Sequence, residues 1–326
     1  MIRGLLLVLT ILIGSAASAS PEKLRSDFVQ RMTTEHGFDA SELDTLLDGA
    51  KVSESILEAI ARPAEKRLNW SEYRKIFLTR DRIRGGLDYW ERNADILERA
   101  RATYGVPPEI IVAIVGVETR YGRFTGRYRV LDALTTLGFH YPPRADFFRG
   151  ELEHFLLLSR EEGVDPSEPL GSYAGAMGRP QFIPSSYRAY AVDFDGDHKR
   201  DIWQNDADVI GSVASYFARH GWRSDAPVTQ RVMGIGPQHQ PLIDAGYKPH
   251  RSVAAFAEDG IHSNPTLPPE LEAALVELET DEEPQHWLVL PNFYVITRYN
   301  RSKMYAMAVY QLADAIKRLR TQVQDG

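Results

Sequence analysis

Apolar residues recur at helical spacing through most of the chain after residue 20. "SPEKLRSDFVQRM" offers a Ser cap, Pro at the first helical position and Glu in the first turn, so a helix begins at Pro21. "DASELDTLL" repeats the pattern, with Asp39 or Ser41 as cap. "TRDRIRGGLDYWERNADILERARATYG" predicts a long amphipathic helix interrupted at Gly85–Gly86, and Gly105-Val106-Pro107-Pro108 breaks the chain and opens the next helix. From Val106 to Trp222 the signals are apolar helices, a Gly-rich loop and an acidic loop. From Arg223 to Glu283 they become strands and turns ("PVTQRVMG", "GIGPQHQP", "HSNPTLPPE"). "HWLVLPNFYVITRYN" carries a strand-like apolar run, and Lys303 to Val323 closes the chain as an amphipathic helix. The fold class is therefore mainly α (α+β). Its expected parts are an N-terminal helical domain at 20–105, a core at 106–222, a small β-containing insertion at 223–284, and a C-terminal part of the core at 285–326.

The helix opening at Pro107 or Pro108 contains an anomaly. Ile111, Ile114, Val115 and Glu118 follow i, i+3, i+4, i+7 spacing, so a carboxylate shares a face with three aliphatics. Gly122 is placed to end that helix. A carboxyl on such a face loses water, its charged form is disfavoured and its pKa rises, which suits a group that must donate a proton near neutral pH. The plain alternative is a solvated or ion-paired glutamate, since Arg120 and Arg123 are close in sequence. Asp132 and Asp146 are the nearest candidates for a second carboxylate.

Composition narrows the picture. The 326 residues carry a net charge of -7, which argues against a nucleic-acid partner, because phosphate binding needs a basic face. Met1-Ile2-Arg3, the apolar run "LLLVLTILIG" and Ala17-Ser18-Ala19 read together as a signal peptide over residues 1–19, with a retained membrane anchor as the alternative. There is no cysteine, hence neither a disulfide nor a lipid-acceptor thiol. The expected location is the periplasm, for a protein that is not a lipoprotein and is a monomer.

In "DFDGDHKRDIWQNDAD", Asp193, Asp195, Asp197 and Asp201 occupy positions 1, 3, 5 and 9 of a calcium-loop pattern, with the Lys199 carbonyl at position 7. His198 stands where glycine is usual and Gln204 where a bidentate Glu is usual. Hard oxygen donors at this density suit calcium, in a structural role; a solvated, metal-free turn is the alternative.

"GVETRYG", "VLDALTTLGFHYPPRADFF", "GSYAGAMGRPQFIPSSYRAYAVDFDGD" and "NFYVITRYNRSKMYAMAVYQLA", in that order, resemble the lytic murein transglycosylase B family over roughly Leu68 to Leu312. The resemblance implies a lysozyme-like catalytic core with a helical domain and a small β domain. It implies a peptidoglycan lytic transglycosylase acting on the β-1,4 bond between N-acetylmuramic acid and N-acetylglucosamine. It makes Glu118 the single catalytic acid/base, places Ser172, Gln181, Asn300 and Tyr305 in the cleft with Tyr73 and Tyr216 as further cleft tyrosines, and sets Arg144 where an acidic stem peptide could meet it. It closes the calcium loop with Asp208. Arg179-Pro180 departs from the aromatic-Gly pair that most members carry. No cofactor is implied for catalysis; the partners implied are glycan strands and, beyond them, wall-synthesis proteins. A muramidase-type hydrolase and a non-catalytic wall-binding scaffold are the competing readings.

Overall fold

The computed structural model describes residues 20–62 and 68–325; the segment 1–19, read as a signal peptide, lies outside the described residues. The first helix, Pro21–His36, is capped as expected, with the Ser20 hydroxyl accepting the Lys23 amide at 3.3 Å. Asp39, not Ser41, caps Ala40–Asp48, because its carboxylate accepts the Glu42 amide. The long amphipathic stretch breaks at Asn93 into Arg80–Arg92 and Ala94–Tyr104. Gly85 and Gly86, expected to interrupt it, stay inside the first of these helices. Their bare backbones make room for neighbours, the Tyr121 ring over both and the Ile316 side chain against Gly86.

The helix Pro108–Thr119 is buried almost all the way round, which marks it as the hub of the core. It packs against Arg80–Arg92, Ala94–Tyr104, Asp206–Arg219 and the C-terminal helix Lys303–Asp325. The helix ends at Thr119, three residues before Gly122, because Arg120 already adopts the left-handed conformation. Among the described residues, no single helix is long and apolar enough to cross a membrane.

A four-stranded antiparallel sheet runs in the order Thr229–Val232, Gln285–Val289, Glu272–Leu278, Arg251–Ser252. The stretch "GIGPQHQP" is not extended; it contains the 3-10 turn Pro237–His239 and the start of the short helix Gln240–Asp244. The apolar run "HWLVLPNFYVITRYN" divides at Pro291 into a strand and the helix Pro291–Tyr299. Its strand is central in the sheet, so the sheet takes chain from both sides of the expected boundary at residue 284. Side-chain alternation buries both faces: Ala273, Leu275 and Leu288 enter a small core with Phe256 and Ile261, while Ala274, Val276 and Val289 join the main core. The helix Trp70–Phe77 is tied to this sheet through the Trp70 amide, which donates to the Glu279 carbonyl at 2.6 Å.

Ile111 sits at the centre of the hub helix with no exposed surface. Ile111→Ala therefore leaves a cavity that the surrounding helices cannot close, and urea denaturation is expected to show a loss of roughly 2–5 kcal/mol.

Candidate active site

Glu118 lies one residue before the end of the hub helix, half-buried, with Ile111, Ile114 and Val115 fully buried along its face. The C-terminal helix supplies Tyr305, buried, whose hydroxyl donates to Glu118 Oε1 at 2.5 Å. Burial pushes the Glu118 carboxyl up to about 7, and the Tyr305 hydrogen bond pulls the other way without cancelling it. Burial first, and then the neighbouring Glu118 charge, hold the Tyr305 and Tyr299 phenols well above the ordinary tyrosine range, so both hydroxyls stay protonated donors. Neither candidate second carboxylate is free to partner Glu118. Asp132 accepts the Lys51 amide at 3.0 Å and faces Arg129, while Asp146 is fully in solvent beside Arg149. Arg120 and Arg123 are exposed, and no ion pair joins either to Glu118.

The Gly-rich loop forms a wall beside the acid. It starts from the short strand Leu170–Gly171, paired with Tyr128–Arg129, and turns back so that the Ser172 amide reaches the Ala176 carbonyl at 2.8 Å. The Ser172 hydroxyl accepts the Ala174 and Ala176 amides at 3.2 and 3.1 Å, which locks the turn and keeps this half-buried side chain in place. Gln181 takes a left-handed backbone (φ 54°), and its side chain donates to the Thr125 and Gly178 carbonyls at 3.1 and 2.9 Å. Thr125 follows Glu118 closely in the chain, so Gln181 stitches the loop to the segment leaving the acid. Two further bonds do the same: Thr119 Oγ1 donates to the Arg179 carbonyl at 3.0 Å, and the Tyr299 hydroxyl donates to the Pro180 carbonyl at 2.7 Å.

Sequence reading missed the anchor of this wall. The Arg179 guanidinium pairs with Asp206, which also accepts the Tyr89 hydroxyl at 2.8 Å. The Arg179-Pro180 departure thus has a partner at the start of the helix Asp206–Arg219, and its two carbonyls accept the Thr119 and Tyr299 hydroxyls. Nothing in the spacing of Arg179, Asp206 and Tyr89 could have announced that contact.

The expected cleft tyrosines divide. Tyr305 touches Glu118 directly. Tyr216 is nearly buried, its hydroxyl donated to the Arg298 carbonyl at 2.6 Å and its ring 4.7 Å from that of Tyr299. Tyr73 is also buried, packed against Phe77 at 5.1 Å and close enough to Tyr305 to influence its ionisation. Asn300 is exposed at the end of the Pro291–Tyr299 helix. Arg144 is exposed on another element, its guanidinium 4.3 Å from the Phe147 ring centroid, and no bond or ring contact joins it to the Glu118 group among the described residues.

In the acidic loop, Asp193, Asp195 and Asp197 bring one oxygen each within 4.8 Å of one another. His198 adopts φ 72°, so the turn expected of glycine forms without it, and its amide donates to Asp193 Oδ2 at 2.8 Å. Three converging carboxylate oxygens are the donor set of a hard cation. Backbone amides reach these carboxylates and the expected ligands Asp201 and Asp208 as well. Asp201 accepts the Trp203 and Gln204 amides at 2.8 and 2.9 Å. Asp208, fully buried, accepts Phe194 and Asp201 amides at 2.7 and 2.8 Å.

Residues 20–314 match the family model described as the transglycosylase SLT domain. The chain is 45% identical over 304 residues to the membrane-bound lytic murein transglycosylase B of Escherichia coli K12, covering 90% of this chain and 83% of that one. Its fold superposes on soluble lytic transglycosylase SltB1 from Pseudomonas aeruginosa with a TM-score of 0.87 at 52% identity, covering 91% of this chain and 99% of that one. The E. coli lytic transglycosylase Slt35 in complex with calcium gives a TM-score of 0.85 at 45% identity, covering 91% and 94%. A half-buried, neutral-range glutamate on the lysozyme-like core and a match along nearly its whole length lead to one conclusion: this chain belongs to the lytic murein transglycosylase B family of peptidoglycan lytic transglycosylases.

Proposed function

We propose that Glu118 alone serves as acid and then base in cleavage of the β-1,4 bond between N-acetylmuramic acid and N-acetylglucosamine. The observation that carries this reading is a single carboxyl raised to about 7 by burial, with Asp132 and Asp146 committed elsewhere. Protonated Glu118 gives its proton to the glycosidic oxygen as the C1–O bond breaks. The substrate's own 2-acetamido oxygen bonds to C1 and carries the positive charge as an oxazolinium, one of the known departures from the two-carboxylate scheme. Glu118, now ionised, takes the proton of the C6 hydroxyl while that oxygen bonds to C1 and displaces the acetamido group. The products are a free 4-hydroxyl and a 1,6-anhydromuramoyl end, and Glu118 is protonated again. The internal nucleophile needs no separate binding, which favours ring closure over attack by water.

Tyr305 orients the carboxyl through its hydroxyl. Ser172, Gln181 and Asn300 present polar groups to the sugars, Tyr216 and Tyr73 support the tyrosines that line the cleft, and Arg144 meets an acidic stem peptide at a distance from the acid. A calcium ion, held by Asp193, Asp195, Asp197 and the Lys199 carbonyl with Asp201 and Asp208 bracing the loop, would neutralise the clustered charge and stiffen the segment. The chain acts as a monomer in the periplasm on glycan strands and alongside wall-synthesis proteins, exported by residues 1–19 and, lacking cysteine, without a lipid.

Glu118→Gln keeps the shape of the side chain but removes the proton, so turnover of purified sacculi is expected to fall about 10²–10⁴-fold. Mass spectrometry of wild-type digests should show anhydro ends; reducing ends would favour the hydrolase, and binding without release of fragments the scaffold. The same substitution tests the burial. A carboxyl whose pKa is higher folded than unfolded supports the fold fully below about 4.5, and that support is lost as pH rises towards about 7. Glu118→Gln should therefore gain stability over wild type between pH 4.5 and 7.5, on the order of 2–3 kcal/mol by denaturant titration. Calcium should raise the melting temperature, chelator should reverse it, and Asp193→Ala with Asp195→Ala should abolish the response.

A further inference from the structure

The chain leaves the Glu118 helix through three consecutive left-handed residues: Arg120 (φ 49°), Tyr121 (φ 60°) and Gly122 (φ 85°). Only the third is glycine. A bulky L-residue avoids this region because its Cβ meets the following carbonyl, so two such residues in a row persist only where their surroundings hold them. The side chain of Tyr121 shows what does the holding. Its ring turns back into a slot between two helices, floored by Gly85 and Gly86 on Arg80–Arg92 and by Gly116 on the Glu118 helix itself. A Cβ at Gly116 would lie 2.5 Å from the Tyr121 hydroxyl oxygen, one at Gly86 2.7 Å from it, and one at Gly85 3.0 Å from the ring edge. The ring stacks on Tyr89 at 5.7 Å, and its hydroxyl donates to the Arg82 carbonyl at 2.7 Å.

The same slot secures the end of the acid's helix. Arg82 is buried, and its Nη1 donates to the Gly116 and Val117 carbonyls at 3.2 and 3.4 Å, placing a cation at the negative end of that helix. On the other side of the turn, Thr119 Oγ1 accepts the Gly122 amide at 3.1 Å while donating to Arg179. Glu118 thus sits between a helix end gripped by Arg82 and a turn gripped by Tyr121.

We propose that Tyr121 is a positioning residue for the reaction: keyed into the Gly85–Gly86–Gly116 slot, it holds the left-handed turn and so fixes where the Glu118 carboxyl stands against Tyr305. The inference rests on Glu118 being the acid. Tyr121 does not itself meet the substrate; it acts on the rate through the placement and dryness of Glu118. The titratable groups facing Glu118 are Tyr305 and Tyr299, both kept protonated by burial; the Arg82 guanidinium lies beyond the helix end, its own pKa lowered by burial. The alkaline limb of the rate profile therefore follows the hydration of Glu118.

The test uses the purified full chain and soluble glycan strands, with Tyr121→Phe, Tyr121→Leu, Gly85→Ala and Glu118→Gln compared with wild type. Thermal unfolding establishes which variants fold. Tyr121→Phe keeps the ring and should stay within about threefold of wild-type kcat. Tyr121→Leu empties much of the slot and should lose roughly 30-fold or more in kcat with KM within about twofold, its alkaline limb moving down by about one pH unit as water reaches the carboxyl. Gly85→Ala presses on the ring from the far side and should reproduce the effect more weakly, about 3–10-fold, which carries the test if Tyr121→Leu does not fold. Folded Tyr121→Leu and Gly85→Ala proteins with wild-type kcat and limb, beside an inactive Glu118→Gln, would overturn this inference alone. An active Glu118→Gln protein would overturn the acid assignment and this inference with it.

Discussion

Keeping a carboxyl dry is the demand that shapes this molecule. Glu118 can hold its proton near neutrality only because the face it shares carries Ile111, Ile114 and Val115, all out of water. That face cannot be made dry by a surface helix. The Pro108–Thr119 segment is accordingly the hub, buried on nearly every side and packed by Arg80–Arg92, Ala94–Tyr104, Asp206–Arg219 and the C-terminal helix. Burial of an acid opposes folding wherever the unfolded chain would ionise it, so the site weakens the fold that houses it. The surrounding core, continuous from Phe28 to Ile316, is large enough to absorb that loss.

The Glu118 region is also held in place, and the surrounding bonds act from three directions. Tyr305 approaches from the C-terminal helix and meets the carboxyl itself. Arg179 and Pro180 offer their carbonyls to Thr119 and Tyr299, fastening the Gly-rich wall to the acid's own helix and to the helix before Asn300. Gln181 reaches across to Thr125, past the left-handed turn. These are mostly bonds to backbone carbonyls, which do not change with rotamer, so the wall keeps its position as side chains in the cleft move.

Much of this was visible in the sequence, and what was not has a common cause. Helix starts were legible because caps are local: Ser20 and Asp39 satisfy amides three residues on. The Glu118 anomaly was legible because helical spacing alone puts it among aliphatics. Gly85–Gly86 misled because a glycine pair reads locally as a break, whereas its reasons are Tyr121, more than thirty residues away, and, against Gly86, Ile316 in the last helix. Gly122 misled likewise: glycine is the expected terminator, yet tertiary contacts force Arg120 and Tyr121 into the left-handed region before it. The strand at Gln285–Val289 was seen as apolar but not as the centre of a sheet, since pairing with Thr229 and Ala274 is decided by the whole chain. Tyr216 and Tyr73 matched cleft positions, but a match in sequence carries no information on how far each ring is buried among its neighbours.

The acidic loop and the cleft are joined by one short segment, Asp201 to Asp208, and this gives the loop a mechanical meaning. At its start, Asp201 receives two amides and lends its own to Asp208; at its end, Asp208 is buried and clasps Phe194. Between them, the Ile202 carbonyl accepts the Arg179 amide at 2.9 Å, and Asp206 pairs with the Arg179 guanidinium. Arg179 in turn accepts the hydroxyl of Thr119, next to Glu118. Asp193, Asp195 and Asp197 bring like charges together, so a cation among them would lower their mutual repulsion at the far end of this chain of contacts. In a protein without cysteine, charge neutralisation is a chemically available way to stiffen such a segment from outside the core. The loop also accommodates His198 in place of glycine, because the left-handed turn forms with His198 present.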